Sequence, residues 1–363
     1  MERELWPLLY RTVCAVAEGF KQKYVQIPAW VLVVTMLWAA IHDRPVSWAC
    51  DPENWKTTRL RPWRIPSDST MSRRIDGEAV GLLWHTVEER LRSLSGTYPC
   101  FAALIDGKPL PVSGVTKDRD ARYGRGAGTM AKGYKLHTVW AGRAMPETWE
   151  ITPLNESEKE VARRLIPLLS GGGYLLGDGY YDANDLYDLA HAQGYQLVTP
   201  LPRGEQPGKG HHYQSPYRLR SIAIMQSPFG RRLHGGRSGI ERTYGNATSF
   251  GGGLGPLPAW VRGRDRVRTW VWAKLLINAA RIIKHNGLRQ VCKMLSRPGL
   301  FSSVPPGLRK VSPSLRKDYY EQESRLRQRV ASRVGAMYYY NSPLKAWCSS
   351  DFFNSSSAAS LRR

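Results

Sequence analysis

The chain has few cysteines and no long hydrophobic run. Its five cysteines are scattered among 363 residues without a C-x-x-C pair, which argues against a disulfide framework or a cysteine zinc site and favours a reducing compartment such as the bacterial cytosol. The main apolar run, Ile27–Ile41, is shorter than the roughly 18 residues that a membrane-spanning helix needs, so we expect a core helix and no membrane partner. The first residues lack the pattern of a signal peptide.

Acidic residues are also scarce. The sequence has 30 Asp and Glu against 53 Lys and Arg, a formal net charge of +23. Such a surplus favours a polyanionic partner, because Lys and Arg neutralise phosphates and release counterions from nucleic acid. Nucleic acid is therefore the first expectation, an anionic membrane surface the second, and a basic surface without function the third. The hydrophobic share of 42% is sufficient for a globular core.

The hydrophobic pattern changes along the chain. Residues 1–95 have the apolar spacing of helices, whereas short β-branched and apolar runs separated by Gly and Pro begin near residue 96. A set of strands is followed by a strand, a helix and a further strand. This order predicts an α/β domain over 96–290, in which a mixed sheet is flanked by helices. Residues 201–236 are rich in Gly, Pro and Arg and predict an insertion or long basic loop, and 291–363 predict a basic tail that is partly helical and partly disordered.

Three acidic residues are candidates for catalysis. Asp106 follows the apolar run FAALI, Asp178 follows YLLG, and Glu241 lies in a predicted helix with Arg237 four residues earlier. We expect both aspartates to project from strand ends into one crevice, where carboxylates repel each other unless a hard cation such as Mg²⁺ lies between them. Taken singly, each acid also fits a bland role, since Asp-Gly is a common turn pair and Glu241 with Arg237 fits a surface salt bridge.

Together the three acids predict a definite chemistry. Two strand carboxylates and one helix carboxylate are sufficient to hold two Mg²⁺ ions roughly 3.5 to 4 Å apart. One ion activates water or a 3′-hydroxyl as the nucleophile, and the other stabilises the leaving oxygen of a phosphodiester. The remaining task of the protein is to position the reactants.

The order of these motifs resembles the DDE transposases of bacterial insertion sequences, in particular insertion-sequence family 4. LIDGKPL resembles the first-Asp strand, GYKLH with TPLNESE the second-strand region, YLLGDGYYD the second-Asp strand, and HGGRSGIER the Glu helix. The resemblance covers roughly residues 102–283. It implies an RNase H-like catalytic domain, Mg²⁺ with Mn²⁺ as a substitute, and cleavage and strand transfer at element ends. It also implies double-stranded DNA as partner, both terminal inverted repeats and target, and a homodimer that pairs two ends.

The Glu helix of that family carries the signature Tyr-x2-Arg-x3-Glu-x6-Lys, in which x is any residue. Arg237 and Glu241 match this signature, whereas His234 stands at the Tyr position and Thr248 at the Lys position. The resemblance implies that Arg237 and His234 steady the phosphate near the cut, with Arg242 as a candidate replacement for the missing Lys. These departures keep open the alternative of a catalytically inactive DNA-binding protein. A further alternative is a related nuclease with the same sheet, which cuts without joining.

Two basic segments are candidates for contacts to the DNA backbone. Lys132 and Lys135 belong to the segment RDARYGRGAGTMAKGYK between the first two predicted strands, which fits either a substrate-facing loop or a flexible hairpin. Arg73 and Arg74 end a short predicted helix that precedes a turn at Gly77 and a longer helix. This helix, turn, helix arrangement fits a DNA reader or a charged helical pair without groove contacts.

Overall fold

The structure is a computed structural model. It describes residues 2–20, 25–95, 101–114, 116–126, 128–201 and 214–295, with side chains from Glu4 to Asn286 within these ranges. The chain divides into two compact units, Met1–Met294 and Leu295–Arg363. From residue 296 onward, the predicted basic tail lies outside the described residues.

Helices make up the N-terminal part of the first unit. They are α1 (Glu2–Ala17), α2 (Ala29–Ile41), α3 (Val46–Ala49), α4 (Asp68–Arg74) and α5 (Glu78–Leu94). In α2 every residue except Trp30 is buried, which confirms that the apolar run is a core helix. Within the described residues, none of the helices combines the length and the hydrophobicity that a membrane span requires.

A six-stranded mixed sheet follows, with helices inserted between its strands. The elements are β1 (Ala102–Pro111), β2 (Arg122–Arg125), β3 (Met130–Trp140), β4 (Thr148–Pro153), α6 (Glu158–Leu165), β5 (Gly173–Leu176), α7 (Asn184–Ala192) and β6 (Tyr195–Val198). Strand β3 runs antiparallel to β1 on one edge and to β2 and β4 on the other, while β1, β5 and β6 are parallel. The sheet confirms the predicted α/β class and is consistent with an RNase H-like fold.

Strand β1 continues well beyond its parallel neighbour. It pairs with β5 only over residues 102–104, but it pairs with β3 from Leu104 to Pro111. The expectation that Asp106 ends its strand is therefore wrong, because antiparallel pairing to β3 carries the strand past it. Gly107 pairs with His137 in the sheet and is no turn residue, and a Cβ there would lie 2.8 Å from Cδ of Lys135. The crevice opens where β5 ends and leaves one edge of β1 uncovered.

Four further helices follow the sheet among the described residues. They are α8 (Pro216–Gln226), α9 (Pro228–Gly235), α10 (Ser238–Thr248) and α11 (Arg264–Leu295). The interpretation of residues 201–236 as a long loop is wrong over α8 and α9. The Ser215 and Ser227 side chains cap these helices, and a proline follows each serine at the first helical position, where its fixed φ favours a helix. Residues 202–213 lie outside the described part of the chain.

One hydrophobic core joins the N-terminal helices to the sheet. Residues of α1, α2 and α5, one face of β1 and β3, and α10 and α11 belong to the same buried cluster. Within it the Trp272 ring stacks on Trp84 at 5.8 Å and meets Trp149 edge-on at 5.3 Å. A second cluster on the opposite face packs α6 and α7 against β1, β5 and β6. The sheet is thus covered on both faces. Asp106 and Asp178 lie where β1 and β5 separate, which we call the split edge of the sheet.

Burial of His137 on β3 makes the stability of the fold dependent on pH. Its side chain is 1% exposed, its Nε2 lies 3.0 Å from the Thr152 hydroxyl, and burial lowers its pKa to about 3. The unfolded chain takes up this proton below about pH 6.5, so the group lowers native stability as the pH falls towards 3, by about 1.4 kcal/mol per pH unit. We expect His137→Gln to flatten this slope in urea unfolding between about pH 4.5 and 6.5. Equal slopes in both proteins would contradict the assignment.

Candidate active site

Two of the predicted acids meet at the split edge of the sheet. The Asp106 carboxylate accepts a hydrogen bond from its neighbour Gly107 N at 2.8 Å. Asp178 directly precedes the 3-10 turn Gly179–Tyr181 beyond β5 and accepts a hydrogen bond from Tyr180 N at 2.9 Å. One carboxylate oxygen from each, together with one from Glu158, lie within 4.8 Å of one another. Three carboxylates from separate elements therefore converge on one point.

Glu158, the first residue of α6, is the member of this group that sequence analysis missed. Its Oε1 accepts a hydrogen bond from Lys135 Nζ at 2.8 Å, and both side chains are largely buried. Acidic residues are common in the first turn of any helix because they interact favourably with the helix dipole. The position of Glu158 in the sequence therefore gave no reason to choose it over its neighbours Glu156 and Glu160.

Arg237 connects the three acids that the sequence singled out. Its Nη2 lies 3.8 Å from Asp106 Oδ2 and 3.7 Å from Asp178 Oδ2, and its Nη1 lies 3.7 Å from Glu241 Oε1. One guanidinium thus has all three carboxylates around it. The Glu241 side chain is 69% exposed, whereas those of Asp106 and Asp178 are at most 27% exposed. Glu241 therefore forms the outer, solvent-facing side of the site.

Tyr244 fixes the Glu241 helix to the sheet. Its buried hydroxyl donates a hydrogen bond to the Asp106 carbonyl at 3.0 Å and lies 2.6 Å from the Thr138 hydroxyl. Because the carbonyl only accepts, the Thr138 hydroxyl donates to Tyr244. Glu241 lies three residues before Tyr244, on the same side of α10. The contact at Asp106 therefore fixes the position of the helix that carries Glu241, whose carboxylate is linked to the aspartates through Arg237.

The electrostatics of the site favour a bound cation. Burial raises the pKa of Asp106 to about 6, although the Gly107 amide and Arg237 oppose the shift, and the charge of Asp178 adds to it. Burial also raises the pKa of Asp178, with a further contribution from Glu158. Arg237 and Lys135 thus compensate these carboxylates only in part. Carboxylate oxygens at this spacing suit a hard divalent ion such as Mg²⁺, so the donor set fits the predicted metal.

Other predicted residues of the Glu helix region lie nearby. His234 Nε2 lies 3.1 Å from the Gly177 carbonyl and donates to it, which places the ring beside the residue that precedes Asp178. The Thr248 hydroxyl donates to carbonyls of its own helix, Tyr244 and Gly245. Arg242 is exposed on α10. No cation replaces the family Lys at residue 248 itself, and Arg242 stays a candidate for that role.

The predicted backbone-binding residues occupy different environments. Lys132 Nζ donates to the Thr116 carbonyl at 3.1 Å, and Lys135 is buried among the acids. Arg73 and Arg74 occupy the last turn of α4, which Ser67 caps. Of these four residues, the structure brings only Lys135 to the acid cluster of Asp106, Glu158 and Asp178, and a DNA contact by the other three stays a prediction.

Loss of the Tyr244 hydroxyl is expected to weaken the fold at the site. Tyr244→Phe leaves the part-buried Asp106 carbonyl and the buried Thr138 hydroxyl without this partner, which costs about 1 to 3 kcal/mol of the free energy of unfolding. Urea unfolding of the metal-free protein measures it. Tyr123→Phe is the matched control, because that side chain is 61% exposed. A variant as stable as the control would show that the hydroxyl does not hold α10.

Comparisons with known proteins bear on this geometry. Residues 102–277 match the family model described as the transposase DDE domain. A piggyBac transposase synaptic complex with hairpin DNA, solved by cryo-electron microscopy, is similar at 9% identity and a TM-score of 0.40, over 84% of this chain and 83% of that one. No curated protein shows significant similarity to the chain. The resemblance to insertion-sequence family 4 stays a prediction. The segment that holds Asp106, Asp178 and Glu241 is thus similar to the transposase DDE domain.

Proposed function

We propose that the protein is a DDE transposase of the insertion-sequence family 4 type, which cleaves DNA at the ends of its element and transfers the strands to a target. The observation that carries this proposal is the arrangement of Asp106, Asp178 and Glu241 around Arg237 within the segment that matches the transposase DDE domain. The surplus of positive charge supports a DNA partner. A homodimer at paired ends and a place in the bacterial cytosol, associated with the nucleoid, belong to the same proposal.

In this proposal the carboxylates of the site are the metal ligands. Asp106 and Asp178, joined by Glu158, would hold one Mg²⁺, and Glu241 would serve a second from the exposed side. Bound Mg²⁺ lowers the pKa of a coordinated water or hydroxyl and stabilises charge on the leaving oxygen. Mn²⁺ has similar ligand preferences and is expected to substitute.

The basic residues at the site would orient the DNA. Arg237 balances the acids in the structure, and its planar, forked guanidinium is also suited to a phosphate that enters between them. His234 donates its Nε2 proton to Gly177, so in the neutral ring Nδ1 carries no proton. His234 would therefore donate to a phosphate only as an imidazolium. Exposed Arg242 would contact the flanking backbone.

Further contacts would lie away from the acids. Lys132, and Arg73 and Arg74 at the end of α4, would bind the backbone of the same DNA. Lys135 would act differently from our first expectation, because its ammonium is held by Glu158 inside the acid cluster. Its contribution would be to position Glu158 and to offset part of the negative charge.

One observation favours a second candidate function, a DNA-binding protein that has lost catalysis. At residue 248, where the family signature has Lys, the hydroxyl of Thr248 is used within its own helix. Such a protein would bind DNA with a steep dependence on salt and would show no metal-dependent turnover. A nuclease that cuts without joining is separated from the transposase by the absence of joined products.

Replacement of Asp178 tests the proposed catalysis. With Mg²⁺ and a duplex carrying the DNA that flanks the reading frame, we expect Asp178→Asn to lower cleavage and joining at least about a hundredfold, because one carboxylate of the site is lost. Asp185→Asn is the matched control, since this carboxylate is 46% exposed and pairs with Arg163. Equal activity of wild type and Asp178→Asn would remove the catalytic claim. DNA binding by a wild type that never cleaves would support the second candidate.

Replacement of Glu158 tests its place among the metal ligands. Mn²⁺ is expected to raise the melting temperature of the wild type, because it binds the folded state, and Glu158→Gln is expected to need at least about ten times more Mn²⁺ for the same increase. Glu160→Gln is the control, because Glu160 is exposed and pairs with Arg163 on the same helix. If Glu158→Gln and the control respond to the same Mn²⁺ concentration, Glu158 is no ligand.

A further inference from the structure

A basic hairpin borders the acid cluster. Strands β2 and β3 form it, and Arg125 at the end of β2 donates from Nη1 to the Tyr180 hydroxyl at 3.1 Å. Tyr180 lies two residues after Asp178, and its backbone amide holds the Asp178 carboxylate. The hairpin is therefore tied to the same short turn that presents one of the acids.

Gly124 permits the hairpin to lie this close to the site. A Cβ at Gly124 would stand 2.5 Å from the Leu154 carbonyl oxygen and 2.9 Å from Asn155 N, so no side chain fits. This backbone leads from β4 into α6, whose first residue is Glu158. The hairpin thus packs directly on the connection that supplies the third carboxylate, which fixes its place beside the acids.

The hairpin and the turn present aromatic rings together with cations. Tyr123 is 61% exposed and Tyr180 is 60% exposed, and both lie beside exposed arginines, Arg122 and Arg125. Side chains two residues apart on a strand share a face, so Tyr123 and Arg125 point to the same side of β2. Arginines alone suffice to bind the phosphates of a duplex. Exposed rings add a different capacity, because aromatic and guanidinium planes stack on the faces of bases.

The faces of bases are accessible only where a strand is unpaired. In an intact duplex they are stacked on each other, and a protein reaches only base edges and backbone. A surface with two exposed tyrosines and adjacent arginines therefore matches single-stranded DNA better than paired DNA. Its position beside Asp178 would bring such a strand next to the phosphate that the acids act on.

We propose that Tyr123, Arg125 and Tyr180 form a binding surface for unpaired nucleotides adjacent to the scissile phosphate. This inference rests on the proposed function and adds the form of the substrate: a DNA end whose strands are separated at the cut. Tyr180 stacks on a base, Arg125 holds the Tyr180 hydroxyl and faces the backbone, and Tyr123 extends the surface along β2.

Binding without metal tests the surface separately from catalysis. The probes are a blunt duplex of about 20 base pairs and the same duplex with four unpaired thymidines at one 3′ or one 5′ end, measured by fluorescence anisotropy in EDTA. We expect the wild type to bind one tailed probe about tenfold more tightly than the blunt one, and Tyr180→Ala to lose most of this preference. Tyr180→Phe keeps the ring and is expected to keep the preference.

Matched controls separate stacking from general effects. Phe101→Ala removes a ring that is also 60% exposed. Phe101 directly precedes β1, at the end of the strand that is distant from the site, so this variant is expected to bind the probes as the wild type does. A 2-aminopurine in the tail reports stacking directly, and its fluorescence is expected to fall with the wild type and Tyr180→Phe. If Tyr180→Ala fails to fold, the 2-aminopurine fluorescence with the wild type and with Tyr180→Phe decides whether the tail stacks.

Two results would overturn the inference: equal affinity of the wild type for blunt and tailed probes, or a full preference in folded Tyr180→Ala. Neither result bears on the proposed function, because EDTA removes the divalent ions and no cleavage occurs in this measurement. Conversely, Asp178→Asn, which is expected to lose cleavage, is expected to retain the preference for the tailed probe. A protein that cleaves element ends but binds both probes equally would keep the proposed function and lose only the surface.

Discussion

The site depends on one hydrogen bond between distant parts of the chain, from the Tyr244 hydroxyl to the Asp106 carbonyl. It spans 138 residues of sequence and joins α10 to the strand that carries the first acid. Because the bond is made to the backbone of Asp106 itself, any displacement of the helix changes the distance between Glu241 and the aspartates. Arg237, at the start of the same helix, lies within 4 Å of both aspartates in this position of α10.

This constraint brings together groups that repel each other. Burial raises the pKa of both Asp106 and Asp178, so the metal-free site is electrostatically unfavourable near neutral pH, and Arg237 and Lys135 relieve it only in part. A protein that needed only stability would not place three carboxylates here. Such an arrangement is typical of sites that bind a cation, where the stability lost in the free state is recovered on binding.

The sequence predicted those features that depend on local pattern. The core helix α2, the mixed sheet, and the i, i+4 pair of Arg237 and Glu241 all follow from residue spacing. It failed where partners are distant. Pairing with β3 extends β1 beyond Asp106, and the convergence of Glu158 on the aspartates depends on the packing of α6 against the sheet. The helices α8 and α9 were missed for another reason: the abundance of Gly, Pro and Arg over 201–236 favours a loop, whereas a Pro that directly follows a capping Ser also begins a helix.

The basic residues show most clearly what the sequence leaves open. From composition, Lys132, Lys135 and Arg125 were equivalent members of one basic segment. In the fold, Lys135 is buried against Glu158, Lys132 is bound to a backbone carbonyl, and Arg125 is exposed and joined to Tyr180. Gly124 contributes to the position of Arg125, because its missing side chain allows β2 to pack closely on the connection before α6. A net charge therefore only favours a polyanionic partner, whereas the contacts that hold each cation in the fold determine whether that cation is free to meet such a partner.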